Sequence, residues 1–334
     1  AGPLVLQNLS HTLLGVVDTF FVSRLGTDAL AAVGLAAVMF FAVLMLFRGI
    51  ANSTIVFVGR AYGEEDNEKI GTAVWRSINM VVWLTLPVVF LPWIFSILIG
   101  IAAPSDGEQV MALGSEYLRI RSYEIPLIMF GAIVWGFLVG RGDSRTPMIL
   151  AWVTVLLNIF LDWVLVFGNL GMPEMGVAGA AYATVLANAG NAVLGAFILF
   201  SAANRRSYGT GRIRFMPWPE LRKGLVVGLP MGLGDFIEIA SFSAFFALIA
   251  RLGTDILAAN QIALQYMSIS FTVGVAVGMA TSSLVAQFLG AKKPDLAEKV
   301  AYRAVGLAMA GRGAIGVLYL CLLYTSPSPR DPRG

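Results

Sequence analysis

Apolar residues gather into nine runs, near 3–22, 28–58, 74–102, 120–140, 146–168, 176–202, 224–250, 255–288 and 300–320. A helix needs about 20 apolar residues to cross a bilayer, so each run predicts a membrane helix. Several are long enough to tilt or to extend past the lipid. Period-two alternation is absent, which argues against a transmembrane barrel. Pro3, Pro87, Pro126 and Pro230 fall inside the runs, where neighbouring helices can satisfy the freed carbonyls. The small residues of GVAGAAYA, 176–183, allow close helix approach. The predicted fold class is therefore an all-α polytopic membrane bundle.

The runs repeat. RLGTDALAAVGLA at 24–36 returns as RLGTDILAANQIA at 251–263, identical at nine of thirteen positions with an offset of 227. The same offset places Pro3 on Pro230 and Gly63 on Gly290. A spacing of this size predicts a duplicated six-helix unit. An even helix count makes the two units parallel, related by an axis along the membrane normal. The expected organisation is a six-helix N-lobe at 1–203, a linker at 204–219 and a partial C-lobe at 220–320.

Composition fits this reading: 57% of residues are hydrophobic and 13% charged, where a soluble domain carries roughly 25% charge. The net charge of +3 gives no reason to expect a nucleic-acid partner. Basic residues sit in alternate loops. The 141–147 loop has Arg141 and Arg145, the 204–223 linker has six Lys or Arg, and 290–299 has Lys292, Lys293 and Lys299. The intervening loops at 104–109 and 168–176 have none. This asymmetry predicts a cytoplasmic N-terminus in the cell's plasma membrane, the inner one where there are two.

Ionisable groups within a span cost roughly 2.5–3.5 kcal/mol on insertion scales, so each needs a partner or a wet cavity. Asp18 in the first run and Asp162 in the fifth are expected at similar depth, since both helices run outward. Asn158 precedes Asp162 by four residues and shares its helix face. In the sixth run Ala180, Thr184, Asn188 and Asn191 form a stripe at helical spacing. Asp18, Asn158, Asp162 and Thr184 offer hard oxygen ligands suited to Na⁺. Alternatively, the two carboxylates share a proton. Glu238 in the seventh run maps by the offset onto His11, and Asp235 onto Asn8. There is no HExxH pair, no GxSxG turn and no P-loop, so no enzyme and no cofactor is expected.

At this point the residues carry a family. PLVLQNLSHTLLGVVDTFFVSRLGTDALAAVGLA, YLRIRSYEIP, RGDSRTPM, NIFLDWVLVFG, GVAGAAYAT and GLPMGLGDFIEIASF together resemble the multidrug and toxic compound extrusion (MATE) family. The resemblance implies a monomeric twelve-helix antiporter of two lobes, exchanging Na⁺ or H⁺ for cationic or amphipathic small molecules. It also implies that Asp18, Asn158, Asp162, Ala180 and Thr184 form the N-lobe cation site, and that Glu238 is an acid of the C-lobe. Two alternatives are a lipid-linked sugar flippase of the same superfamily, which would want a cationic groove, and a non-transporting membrane scaffold, which would not need acids at matched depth.

Both ends of the chain carry expectations. It opens inside an apolar run, so a preceding segment is expected. CLLYTSPSPRD at 321–331 resembles an in-frame translation of a sequencing adapter. Residues 321–334 are therefore expected to be non-native, with no thiol chemistry to be argued from Cys321.

Overall fold

The structure is a computed structural model and describes residues 2–102, 108–250, 271 and 274–325. Within them every regular element is helical: α1 (Gly2–Ser23), α2 (Thr27–Asn52), α3 (Thr54–Gly63), α4 (Asn67–Val88), α5 (Leu91–Ala102), α6 (Glu108–Ser122), α7 (Glu124–Gly140), α8 (Arg145–Leu165), α9 (Gly176–Leu199), α10 (Ala202–Tyr208) and α11 (Trp218–Ala250). After these come α12 (Gly274–Gly290) and α13 (Pro294–Thr325). A short 3₁₀ turn, Asn169–Gly171, joins α8 to α9.

Proline sets the two sharp bends. α4 and α5 form one traversal bent by 48° over residues 89–90, just ahead of Pro92, and α6 and α7 form another bent by 41° at Tyr123, three residues before Pro126. A proline removes the hydrogen bond to the carbonyl one turn earlier and crowds it, which places the second break ahead of the proline. α2 and α3 read as a single stretch, Thr27–Gly63, with mean hydropathy 2.7. Among the described residues four stretches are long and apolar enough to cross a membrane, or six if each bent pair is one span. α1 is not counted with them, although it is 22 residues long. Gln7, Asn8, Ser10 and Asp18 interrupt its apolar pattern.

Gln7 has a partner on another helix, while the buried Asn8 Nδ2 has none. Trp135 Nε1 donates to Gln7 Oε1 at 3.2 Å, and Ser10 Oγ donates to the Gln7 carbonyl at 2.6 Å. α1 packs on α8, α8 on α9, and α7 on α9. The main core draws on α2, α5 and α7 as well, with Phe40, Phe95, Phe137, Ile133 and Met129 fully buried. Polar capping starts α8. Asp143 accepts from the Arg145 and Thr146 amides, both at 3.1 Å, and from Thr146 Oγ1 at 2.6 Å. Partial burial pushes against it, yet these Thr146 and Arg145 hydrogen bonds hold the Asp143 carboxyl below its usual range. The cap is therefore charged at neutral pH.

The duplication is visible in the turns that close α3 and α12. In the first, the amides of Glu64, Glu65 and Asp66 donate to the carbonyls of Arg60, Tyr62 and Ala61 at 3.0, 3.1 and 3.1 Å. In the second, Ala291, Lys292 and Lys293 donate to Gln287, Leu289 and Phe288 at 2.9, 3.2 and 2.9 Å. Every one of these six positions is shifted by 227. Glu65 and Lys292 both take the left-handed conformation, with φ of 57° and 56°. The two turns also meet. A Cβ on Gly63 would overlap the Gln287 carbonyl, and a Cβ on Gly290 would overlap the Arg60 carbonyl. The contact is reciprocal, and both helices end at it, so their C-terminal ends lie on the same side of the bundle. Glycines also bring α2 against α11: Gly49 would overlap Gly232, and Gly232 the Leu46 carbonyl, if either carried a Cβ.

The linker lies on the same end of the bundle. Trp75 Nε1 donates to the Thr210 carbonyl at 3.0 Å, and Asn79 Nδ2 to the Arg214 carbonyl at 2.9 Å. Arg76 pairs with Glu220 at 2.8 Å. The second RLGTD copy, 251–263, lies outside the described residues, so the reciprocal turn is the structural trace of the repeat. At the far end α13 continues through Thr325, past the boundary drawn at 320 from sequence. Residues 326–334 also lie outside the described set.

Candidate functional site

Three helices bring the expected residues together. α1 supplies Asp18, α8 supplies Asn158 and Asp162, and α9 supplies Ala180 and Thr184. Asn158 and Asp162 are fully buried, Thr184 and Ala180 nearly so. Asp18 is half-buried, and its carboxyl lies within hydrogen-bonding reach of Asp162. The Asn158 amide stands between the acids and Thr184 Oγ1, which is 3.5 Å away. Turned with its nitrogen toward the acids, it donates to Asp18 Oδ1 at 2.9 Å and to Asp162 Oδ2 at 3.2 Å. Thr184 Oγ1 donates to the Ala180 carbonyl at 3.0 Å, so Ala180 contributes through its backbone. One acceptor is unspent: Asp162 Oδ1 is buried and has no hydrogen-bond partner.

Two carboxylates this close in a low-dielectric interior repel each other strongly when both are charged. Such a site favours any small positive species that can sit between them. Among the described residues no three His, Cys, Asp or Glu side chains cluster as a metal centre. What the site offers is two carboxylates, an amide and a hydroxyl, a set of hard oxygens that suits a monovalent ion or a proton rather than a transition metal. Replacing Thr184 with valine keeps the shape and removes the hydroxyl. We expect cation affinity to fall about tenfold, a single lost ligand, with little change in melting temperature; titration of the purified variant checks this.

The rest of the sixth-run stripe points elsewhere. Asn191 Nδ2 donates to Thr154 Oγ1 at 2.7 Å, a helix-to-helix tie. Asn188 Nδ2 donates to Glu124 Oε1 at 2.8 Å and to the Thr184 carbonyl at 3.0 Å. Glu124 is fully enclosed and faces Arg121, with Nε to Oε2 at 2.8 Å. Sequence reasoning missed this pair. Both residues sit at the edge of the apolar run that starts near 120, where charge suggests the membrane surface. The helical traversal in fact begins at Glu108, so the α6/α7 break carries them into the interior. The signal available was Glu124 standing two residues before Pro126, inside a break that a proline would create.

Glu238 is not part of this cluster. It is exposed on α11 and lies three residues from Asp235, with which it interacts electrostatically. Asp235 is the acid that approaches α2: a Cβ on Gly49 would stand 3.0 Å from Asp235 Oδ2, and Arg48 is its charge partner.

With this geometry in hand, comparison with known proteins is specific. The MatE family model matches residues 3–164 and 230–326. The probable multidrug resistance protein NorM of Thermotoga maritima is 28% identical over 292 residues, 87% of this chain and 62% of that protein. Its namesake in Idiomarina loihiensis is 28% identical over 335 residues, covering 97% and 71%. The chain thus spans between about three fifths and seven tenths of these relatives' length. An outward-facing structure of a multidrug resistance MATE family transporter of the MOP superfamily superposes with a TM-score of 0.81 at 26% identity, over 95% of this chain and 69% of that one.

Proposed function

The chain belongs to the MatE family, and from that premise we propose that it is the larger part of a secondary active antiporter that expels cationic or amphipathic organic compounds in exchange for Na⁺ or H⁺. The observation that carries this reading is the buried Asp18–Asn158–Asp162 cluster, closed by Thr184 from α9. A membrane scaffold has no use for two facing carboxylates at the cost of insertion, and a flippase for an anionic lipid would be served by the opposite charge.

The coupling follows from differential binding. The acid pair takes Na⁺ or a proton and stabilises one facing of the bundle, while an organic cation held in the cleft favours the other. Exchange requires only that each ligand prefer a different facing. Glu238 is proposed as an acid of that cleft. The basic loops support an N-terminus on the cytoplasmic side of the plasma membrane, with the α3 and α12 turns on that side. The protein acts as a monomer on small molecules, without a cofactor.

The test is transport in proteoliposomes. An organic cation dye trapped with the reconstituted full-length protein should leave when an inward Na⁺ or proton gradient is imposed, and Asp18→Asn should remove the response. Dye movement independent of both gradients would contradict antiport.

A further inference from the structure

The Arg121–Glu124 pair lies one helix contact from the acid cluster, and its geometry is unfinished. Side-chain exposure is 13% for Arg121 and 2% for Glu124. The guanidinium lies over the Phe40 ring at 4.6 Å and beside Tyr117 at 5.6 Å, so aromatic rings flank it and little of it reaches solvent. Its 2.8 Å approach to Glu124 is a charge contact without hydrogen-bond alignment: Arg121 Nε, Arg121 Nη1 and Glu124 Oε2 all lack hydrogen-bond partners. The same guanidinium interacts through space with Asp18 and Asp162. Asp162 Oδ1 is equally unpartnered. One side of this interior thus holds orphan donors, and the other an orphan acceptor.

Resting on the cation-site reading above, we propose that Arg121 is a built-in rival for the coupling cation, and that Glu124 is the positioning residue that holds it away from Asp18 and Asp162. The charge count gives the logic. Three carboxylates surround one guanidinium, and a buried guanidinium keeps its proton. It can neutralise Glu124 or turn toward the acid pair, not both. With Glu124 charged, Arg121 is retained and the acids are open to an external cation. Without that charge, the guanidinium gains most by turning to the acids, where charge-assisted hydrogen bonds await its unused donors. Asn188 fixes the arrangement. It grips Glu124 Oε1 at 2.8 Å and the Thr184 carbonyl at 3.0 Å, which ties the anchor to the site's own helix.

Glu124→Gln tests this cleanly, since glutamine keeps the acceptor for Asn188 and loses only the charge. The purified chain is titrated with Na⁺ at fixed pH and, separately, with acid in the absence of Na⁺. The cation to which wild type responds is then used for the variants. E124Q should require at least about tenfold more cation, within the usual range for coupled sites. The double variant Arg121→Gln with Glu124→Gln removes rival and anchor together, and should return affinity to wild type or tighter. A purely structural pair would lower the melting temperature of E124Q and leave affinity alone. A wild type that binds neither cation overturns the cation-site reading and this inference with it. A wild type that binds, with E124Q unchanged or with the double variant as weak as E124Q, overturns the inference alone.

Discussion

In the full-length protein, replacing Asp162 with asparagine is expected to stop gradient-driven efflux while leaving the protein folded. The rate should fall by about 100-fold or more, equivalent to about 2.7 kcal/mol. Asp162 is fully buried between Asn158 and the Asp18 carboxyl, so no exposed group can take its place. Stability should move the other way. Two adjacent buried carboxylates destabilise each other when both are charged, and asparagine removes one charge while keeping the shape. The melting temperature should stay at wild type or rise. Efflux and thermal unfolding measured on the same preparation separate a lost function from a lost fold. A variant that unfolds at lower temperature would mean that Asp162 is a structural partner first.

A second large effect is expected at the reciprocal turn. Gly63→Val puts a branched side chain where even a Cβ would overlap the Gln287 carbonyl. The backbone there cannot yield as a flexible side chain would, so α3 and α12 must separate. Overpacking of this kind costs about 1–3 kcal/mol. Gly290→Val, the repeat-related change, should do the same through the Arg60 carbonyl. The two together should cost less than their sum, because either one opens the same seam. Spin labels at Asn67 and Pro294 would report the separation as a longer distance in each variant. The seam closes the end bearing the linker, so these variants should also favour the opposite facing. Unchanged distances would remove the seam from the conformational account.

Much of this was legible before any coordinates. The apolar runs located the traversals, and matched depth with a shared helix face brought Asp18, Asn158 and Asp162 together. The offset of 227 foretold that Gly63 and Gly290 are equivalent, though not that they would touch. Other features were hidden for physical reasons. Pattern alone does not place a bend, so the α6/α7 break turned two interior charges, Arg121 and Glu124, into apparent surface residues. The hydrogen bond from Trp135 to Gln7 depends on which neighbour α1 meets, which no single-helix pattern states. Asp235 and Glu238 were legible as acids in a span. That Asp235 rather than Glu238 faces α2 depends on the glycine contact between Gly49 and Gly232.

The interior of the first six traversals is proposed to hold a cation between acids from α1 and α8. Calorimetric titration of the purified chain with Na⁺, repeated with acid in its place, tests it most directly. We predict saturable binding of one of these cations by the wild type, weakened by Thr184→Val and absent in both Asp18→Asn and Asp162→Asn. Binding that persists in the two acid variants would place the cation elsewhere and contradict the account.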